Sequence, residues 1–181
     1  MRCAQSLVLT RQAPLRASYA EQPDKAVIYK RVQTQFREGR DALHGTVVPG
    51  AYGVVWPYGI DRAVGGMHDA PNPGEMLCAA LAACQDSTIR MIADILGIVL
   101  QELAVEVVGK VDVRGSLMVD RTVPVGFESL ECNVSLQAAR GTPPELVSKL
   151  MQQAERSCIN LATLRSGVPV RTVIRDIDRK R

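Results

Sequence analysis

The chain has 181 residues, of which 46% are hydrophobic and 23% are charged, and such a composition is typical of one globular domain with a sizeable core. Its 22 basic and 19 acidic residues leave a formal net charge of +3, spread along the chain, and only 4% of the residues are aromatic. Nucleic-acid-binding proteins usually concentrate basic residues on one face and interleave aromatic side chains, so this composition argues against a nucleic-acid partner.

The cysteine content and the apolar runs indicate the compartment. Five cysteines at irregular spacing do not match the pattern of a disulfide-stapled secreted domain. The first residues contain no apolar stretch of signal-peptide length, and the longest apolar run, Met76 to Cys84, is too short to span a bilayer. We therefore expect a cytoplasmic protein without a membrane partner, whose cysteines begin as thiols.

The first two dozen residues are predicted to be an appendage. We divide the chain into an N-terminal extension, residues 1–24, and a main domain, residues 25–181. Within the extension, residues 14–20 can form a short helix, which Gln22-Pro23-Asp24 would end.

Strands are predicted at the start of the main domain. Alternation from Lys25 to Phe36 indicates a half-exposed strand. Glycines punctuate residues 39–66, which predicts further strands and turns with Val54, Val55 and Trp56 as their apolar centre.

A long helix is predicted from Asn72 to Leu96. Asn72 can cap it, Pro73 suits the first helical position, and Glu75 completes a capping box. Gly97 is placed to end the helix in the left-handed conformation. The first half of this helix is apolar on every side, so we expect protein to enclose it.

Strands and a second helix follow. Residues 104–113 and 127–136 are predicted strands, the latter with alternating faces. Residues 142–145 resemble another capping box, and the helix that they start would place Leu146, Leu150, Ala154 and Cys158 on one stripe. Residues 168–174 are predicted to form a last edge strand. These elements predict a mixed α+β domain.

Cys84 and Cys158 lie deep in the two predicted helices and are the main candidates for chemistry. The simplest interpretation is that both are small buried hydrophobic residues, as most free cysteines are. If the fold brings the two sulfurs together, the chain has a dithiol that can cycle through a disulfide. A cysteine in mid-helix gains little from the helix dipole, so a low pKa would require a nearby cation.

Four arginines are candidates for that cation: Arg40, Arg62, Arg90 and Arg156. Arg90 lies six positions after Cys84, about 240° around the helix, and points elsewhere; Arg156 has a similar problem relative to Cys158. A useful arginine must therefore come from the early strand region or from another subunit. Glu75 lies about 180° and roughly 13 Å from Cys84 on the helix, so its role as a cap partner is favoured.

Other chemistries have little support. His44 and His68 are isolated from cysteines, so a zinc site is not expected. The chain has no Walker or dinucleotide loop and no nucleophile elbow. Cys78 and Cys132 are expected to fill the core, and Cys3 to be a free thiol at the terminus.

Two motifs resemble those of the OsmC/Ohr family, the osmotically inducible protein C and organic hydroperoxide resistance proteins. Residues 71–77 (PNPGEML) with 79–84 (AALAAC) resemble its first cysteine motif. Residues 154–158 (AERSC) with 163–170 (TLRSGVPV) resemble its second. The resemblance implies an α+β fold with curved, antiparallel-rich sheets around long central helices, assembled as an intertwined homodimer.

The resemblance also implies a chemistry. Active members of the family are cysteine-based peroxidases that reduce organic hydroperoxides and need no metal, flavin or other cofactor. Cys84 would be the peroxidatic thiolate, Cys158 the resolving cysteine, and a dithiol reductant would reopen their disulfide. Arg40, in Gly39-Arg40-Asp41, would lower the pKa of Cys84, and Glu75 would orient that arginine.

The chain departs from the family pattern in three places. The position ten before the first cysteine, where the family's organic hydroperoxide reductases have a glutamate, is Gly74, and Glu75 stands one step away. Gly39-Arg40-Asp41 matches the family's arginine turn only loosely, and Ile159 replaces the usual proline after the second cysteine. Two hypotheses follow: a hydroperoxide reductase, or a non-enzymatic OsmC-like dimer that binds a small hydrophobic ligand at its interface.

Overall fold

The computed structural model describes residues 6–35 and 41–174. This part of the chain is a mixed helix and sheet structure, as predicted. Its α-helices are α1 (Leu7–Glu21), α2 (Pro73–Leu96), α3 (Val113–Ser116), α4 (Pro144–Ser157) and α5 (Ile159–Ser166). Its strands are β1 (Val32–Gln35), β2 (Gly45–Pro49), β3 (Trp56–Tyr58), β4 (Leu100–Val111) and β5 (Phe127–Ala138). Short 3-10 helices cover Pro23–Ala26, Gly50–Tyr52 and Arg62–Val64.

The strands form two antiparallel sheets. The first has three short strands in the order β1-β2-β3, and the second pairs the long strands β4 and β5. In the second sheet Val105 lies opposite Val134, and Val107 lies opposite Cys132. The half-buried positions of β5 alternate with exposed ones, which confirms the predicted two-faced strand.

Helix α2 has the predicted bounds because its ends are fixed locally. The Asn72 side chain accepts a hydrogen bond from the Glu75 backbone N–H at 3.0 Å, and Glu75 Oε2 accepts one from the Asn72 N–H at 2.9 Å. This capping box satisfies two of the backbone donors that a helix start leaves unpaired. At the other end Gly97 has a φ of 69°, the left-handed terminator that the sequence predicts.

The hydrophobic core lies around the second half of α2. Ile89, Ile92 and Ala93 pack against Leu150 and Ala154 of α4, and the sheet β4–β5 covers them from one side. The first half of α2 is different. The prediction that protein encloses Met76 to Cys84 is wrong within one chain, because of this segment only Leu81 is fully buried and Leu77 is 41% exposed.

Two other apolar segments are also exposed. Val54, Val55 and Trp56 do not form the centre of the first sheet, since each is about half exposed. The predicted strand at residues 168–174 is absent, because the segment lies on no neighbouring strand in the described residues, and Val170 is 88% exposed. A strand needs a partner for its backbone groups, and sequence pattern alone cannot supply one.

The N-terminal helix is longer than predicted and is tethered to the domain. It runs from Leu7 to Glu21 with Pro14 inside it. Asp94 of α2 accepts hydrogen bonds from Ser6 Oγ at 2.5 Å and from the Val8 N–H at 2.9 Å. The bond from Ser6 is the larger cause and that from Val8 the smaller, and both lower the pKa of Asp94. Asp94 is therefore a carboxylate that faces the N-terminus of α1, the positive end of that helix's dipole.

Two further boundaries differ from the sequence predictions. The early strand begins at Val32 and not at Lys25, because residues 23–26 form a 3-10 turn and residues 27–31 have no regular structure. Thr142 does not cap α4: its hydroxyl donates to the Ala139 carbonyl at 2.7 Å, and Pro143 occupies the cap position without a side-chain bond.

Within the described ranges, none of the helices combines the length and the apolar character that crossing a bilayer requires.

Candidate redox site at Cys84 and Cys158

The fold brings the two motif cysteines together. Cys84 lies in the middle of α2, and α5 packs on α2 with Cys158 at its start. The Cys158 side chain lies beside that of Cys84, close enough for the two thiols to influence each other, and no disulfide joins them. Cys158 is 0% exposed, whereas Cys84 is half-buried. The pair therefore combines a partly exposed residue, Cys84, with an enclosed one, Cys158.

Cys158 lies at a break between two helices, and the prediction that it lies on a continuous helix is wrong. Its N–H donates to the Ala154 carbonyl at 3.0 Å and ends α4, while its own carbonyl accepts from the Ala162 N–H at 3.0 Å and begins α5. Its sulfur faces the backbone N–H groups of Asn160 and Leu161. The start of α5 therefore presents donors to Cys158, which a mid-helix cysteine would lack.

Opposing influences act on the Cys158 thiol. Burial is the largest and raises its pKa, and the neighbouring Cys84 raises it further. The N–H groups of Leu161 and Asn160 favour the thiolate and lower the pKa, but the net direction is upward. Cys158 thus keeps its proton at neutral pH and can supply it to a neighbour.

Hydrogen bonds fix the turn of α2 that carries Cys84. The Cys84 carbonyl accepts from Thr88 Oγ1 at 2.7 Å and from Ser87 Oγ at 3.1 Å. From α5, Asn160 Nδ2 donates to the Ala80 carbonyl at 2.8 Å, one turn before Cys84. Sequence reasoning did not identify Asn160, since an asparagine two positions after a cysteine carries no recognisable signal.

The candidate arginines do not reach Cys84 within the described part of the chain. Arg90 forms a two-pronged ion pair with Asp86, at 2.8 and 3.1 Å, on the outer face of α2. Arg62 belongs to a 3-10 helix before α2, and Arg156 is exposed near the end of α4. Arg40 lies outside the described residues.

The described chain resumes beside the segment that contains Arg40. Asp41 accepts from His44 Nδ1 at 2.8 Å, and the other ring nitrogen of His44 lies 2.9 Å from Asp69 Oδ1. The hydrogen bonds to Asp69 and, to a smaller extent, to Asp41 raise the pKa of His44 and so favour the imidazolium between the two carboxylates. This cluster attaches Asp41 to the loop that leads into α2.

Glu75 is occupied as the cap of α2 and lines a cavity to which neither Cys84 nor Cys158 contributes. A cavity of about 910 Å³ is lined by Glu75 and Cys78 on α2 and by apolar residues of β4 and β5. The ring of Phe127 borders it, and Phe127 Cζ lies 3.3 Å from where a Cβ on Gly74 would be. A glutamate at position 74 would therefore crowd this ring and Asn72 Oδ1, 3.1 Å away, by a few tenths of an ångström.

A second groove, of about 960 Å³, flanks the other side of the same half of α2. Leu81, Gln85 and Cys132 line it together with residues of α4 and α5. Burial raises the pKa of Cys132, and Gln85 Oε1 is buried without a hydrogen-bond partner among the described residues.

Across residues 6–35 and 41–174, no three His, Cys, Asp or Glu side chains converge as a metal site would require.

Comparisons with known proteins agree on the fold. The family described as OsmC-like protein matches residues 66–173, which span both cysteine motifs. No curated protein sequence matches the chain significantly.

Solved structures that resemble the chain include an OsmC-like protein from Mycoplasma pneumoniae, with a TM-score of 0.62 at 13% identity over 77% of this chain and 89% of that one. An organic hydroperoxide resistance protein from Elizabethkingia anophelis has a TM-score of 0.56 at 18% identity, over 78% and 91% of the two chains. An organic hydroperoxide resistance protein from Legionella pneumophila has a TM-score of 0.52 at 19% identity, over 77% and 90%. With a family match over more than half of its length, the chain belongs to the OsmC-like protein family.

Proposed function

We propose that this protein is a thiol-dependent peroxidase that reduces organic hydroperoxides through a Cys84/Cys158 dithiol-disulfide cycle. The observation that carries the proposal is that the fold places two motif cysteines, 74 positions apart in the sequence (158 minus 84), beside each other. A core needs no thiol pair, and free cysteines that merely fill space have no reason to meet. Two similar structures are organic hydroperoxide resistance proteins, which favours the same chemistry.

Burial assigns the two thiols to different steps. Cys158 is fully enclosed, so a peroxide dissolved in water reaches Cys84 first. The Cys84 thiolate attacks the distal peroxide oxygen; the O–O bond breaks, the alkoxide takes a proton and leaves as an alcohol, and Cys84 becomes a sulfenic acid. Cys158 lies beside Cys84 and is placed to resolve it.

The second step closes the cycle. The Cys158 sulfur attacks the Cys84 sulfenic sulfur, the S–S bond forms, the S–O bond breaks, and water leaves with the Cys158 proton. A dithiol reductant then exchanges with the disulfide and returns both cysteines to thiols while being oxidised itself. Arg40 as the cation beside Cys84, and Glu75 as the residue that orients it, remain part of the proposal.

Titrating thiols separates the two hypotheses. One equivalent of cumene hydroperoxide per chain is expected to remove two of the five thiols, and a dithiol should restore them. A non-enzymatic, ligand-binding dimer would keep all five. Hydrogen peroxide at the same concentration serves as the comparison for substrate preference, and an unchanged thiol count with both peroxides would contradict the proposal.

We also propose that the protein acts as a homodimer. The half of α2 that carries Cys84 presents exposed apolar residues, as do residues 54–56 and 168–174, and monomeric proteins rarely leave so many apolar side chains in water. Two cavities flank the same half of α2, so a second copy could cover both and complete the surroundings of the site.

A charge on this face tests the dimer. Leu77→Asp is expected to weaken self-association at least tenfold, because a second copy would bury an unpaired carboxylate. Val99→Asp is the matched control, since Val99 is 66% exposed at the other end of α2. Sedimentation equilibrium should give a monomer for Leu77→Asp and a dimer for the control. A monomeric parent protein would contradict the proposal.

A further inference from the structure

We infer that Asn160 is a positioning residue that sets the geometry of the Cys84–Cys158 pair for disulfide formation. The inference rests on the proposed function, because it concerns the step in which that pair closes. Asn160 touches neither the substrate nor the bond that breaks; it acts through the two segments that carry the sulfurs.

One residue contacts both halves of the site. Asn160 Nδ2 donates to the Ala80 carbonyl at 2.8 Å. Ala80 lies four positions before Cys84, so in α2 the same carbonyl accepts the helical hydrogen bond of the Cys84 N–H. The backbone N–H of Asn160 faces the Cys158 sulfur. Asn160 therefore joins the turn that holds one thiol to the turn that holds the other.

Helix α5 packs on α2 mainly through partly buried side chains, and few hydrogen bonds fix it there. It is eight residues long and contains no fully buried residue, and Ile159 at its start is 74% exposed. Its other long-range side-chain bond, Arg165 to Glu155 at 2.6 Å, leads to α4 instead. Among the described residues, the Asn160 amide is thus the side-chain hydrogen bond that ties α5 to α2.

Disulfide formation depends on this tie. The two sulfurs must approach to about 2.05 Å with a restricted dihedral angle, and a small misplacement of reacting atoms slows such a step strongly. Removing the amide retains both thiols but loosens the start of α5, where Cys158 lies. The sulfenic acid then forms as before, while its reaction with Cys158 slows.

The test replaces Asn160 by alanine and measures two quantities. In glutathione redox buffer, the equilibrium constant for the Cys84–Cys158 disulfide should fall about fivefold, the effect of one lost hydrogen bond. In stopped-flow with cumene hydroperoxide, sulfenic acid formation should stay within twofold of the parent rate, and disulfide formation should slow about fivefold. Asn133→Ala, an exposed asparagine on β5, is the matched control.

The outcomes are distinguishable. Asn160→Leu is a second variant, of similar size but without a donor, and it serves as the test if Asn160→Ala folds poorly. It should also lower the disulfide equilibrium constant and slow disulfide formation. If both variants keep the disulfide equilibrium and closure rate within twofold of the parent, the inference is overturned. A parent protein that equilibrates with glutathione but ignores hydroperoxide would overturn the proposed function, while the glutathione equilibrium would still test Asn160.

Discussion

Cys84→Ser is expected to abolish hydroperoxide reduction, lowering kcat/KM by about three orders of magnitude or more. A serine hydroxyl stays protonated at neutral pH and does not form a sulfenic acid, whereas a thiolate is a strong nucleophile toward the peroxide oxygen. Cys158 cannot replace it, because its thiol is 0% exposed and its pKa is raised by burial. The measurement is the rate of peroxide loss with a dithiol as reductant.

Cys78→Ser is the matched control for this variant. Cys78 lies on the same helix and is half-buried like Cys84, but it faces the cavity that contains Glu75. Its replacement should leave the rate of peroxide loss within about twofold, because Cys78 has no part in the proposed cycle and serine is close to cysteine in size. Loss of activity in Cys78→Ser with full turnover in Cys84→Ser would make Cys78 the nucleophile and contradict the prediction.

The parts of the fold that local chemistry decides could be predicted from the sequence. The bounds of α2 follow from Asn72, Glu75 and Gly97, which act on their own backbone neighbours. The two faces of β5 follow from alternation, since side chains on a strand alternate by geometry. The family resemblance rested on short motifs around the two cysteines, and the match to residues 66–173 confirms it.

The predictions that were wrong concern features that depend on contacts between segments distant in the sequence. The break at Cys158 has no glycine or proline to announce it; it coincides with the burial of Cys158 and with the bond from Asn160 to Ala80, 80 positions away. The apolar first half of α2 predicts a segment enclosed by protein, and this prediction is wrong for the described residues. An enclosing cover does not come from the described part of the same chain, as the 41% exposure of Leu77 shows.

The groups proposed to activate Cys84 could not be assigned from the sequence for the same reason. Within the described residues, Arg90 is paired with Asp86 and Glu75 caps α2, so neither assists Cys84 in one chain. Spacing on one helix could exclude contacts with Cys84, but it could not identify the cation that would lower its pKa. A second copy packed on the exposed half of α2 would bring new side chains to this face, which links the proposed dimer to the proposed activity.

Cys158→Ser is expected to stop the cycle after its first step. Cys84 should still react with peroxide at close to the parent rate, because the accessible thiol is unchanged. The sulfenic acid then has no thiol beside it and should persist, so turnover with a dithiol should fall at least tenfold. A 1,3-dicarbonyl probe should label Cys84 in this variant and label the parent only weakly.

Mass spectrometry of the intact chain checks this prediction directly, since the variant should carry one added oxygen after one equivalent of peroxide. Cys132→Ser is the control, because Cys132 is also partly buried but lies in the groove beside Gln85 and not against Cys84. An unchanged turnover in Cys158→Ser would mean that the external dithiol attacks the sulfenic acid itself. The contact between the two thiols would then be structural, and the positioning role of Asn160 would lose its purpose.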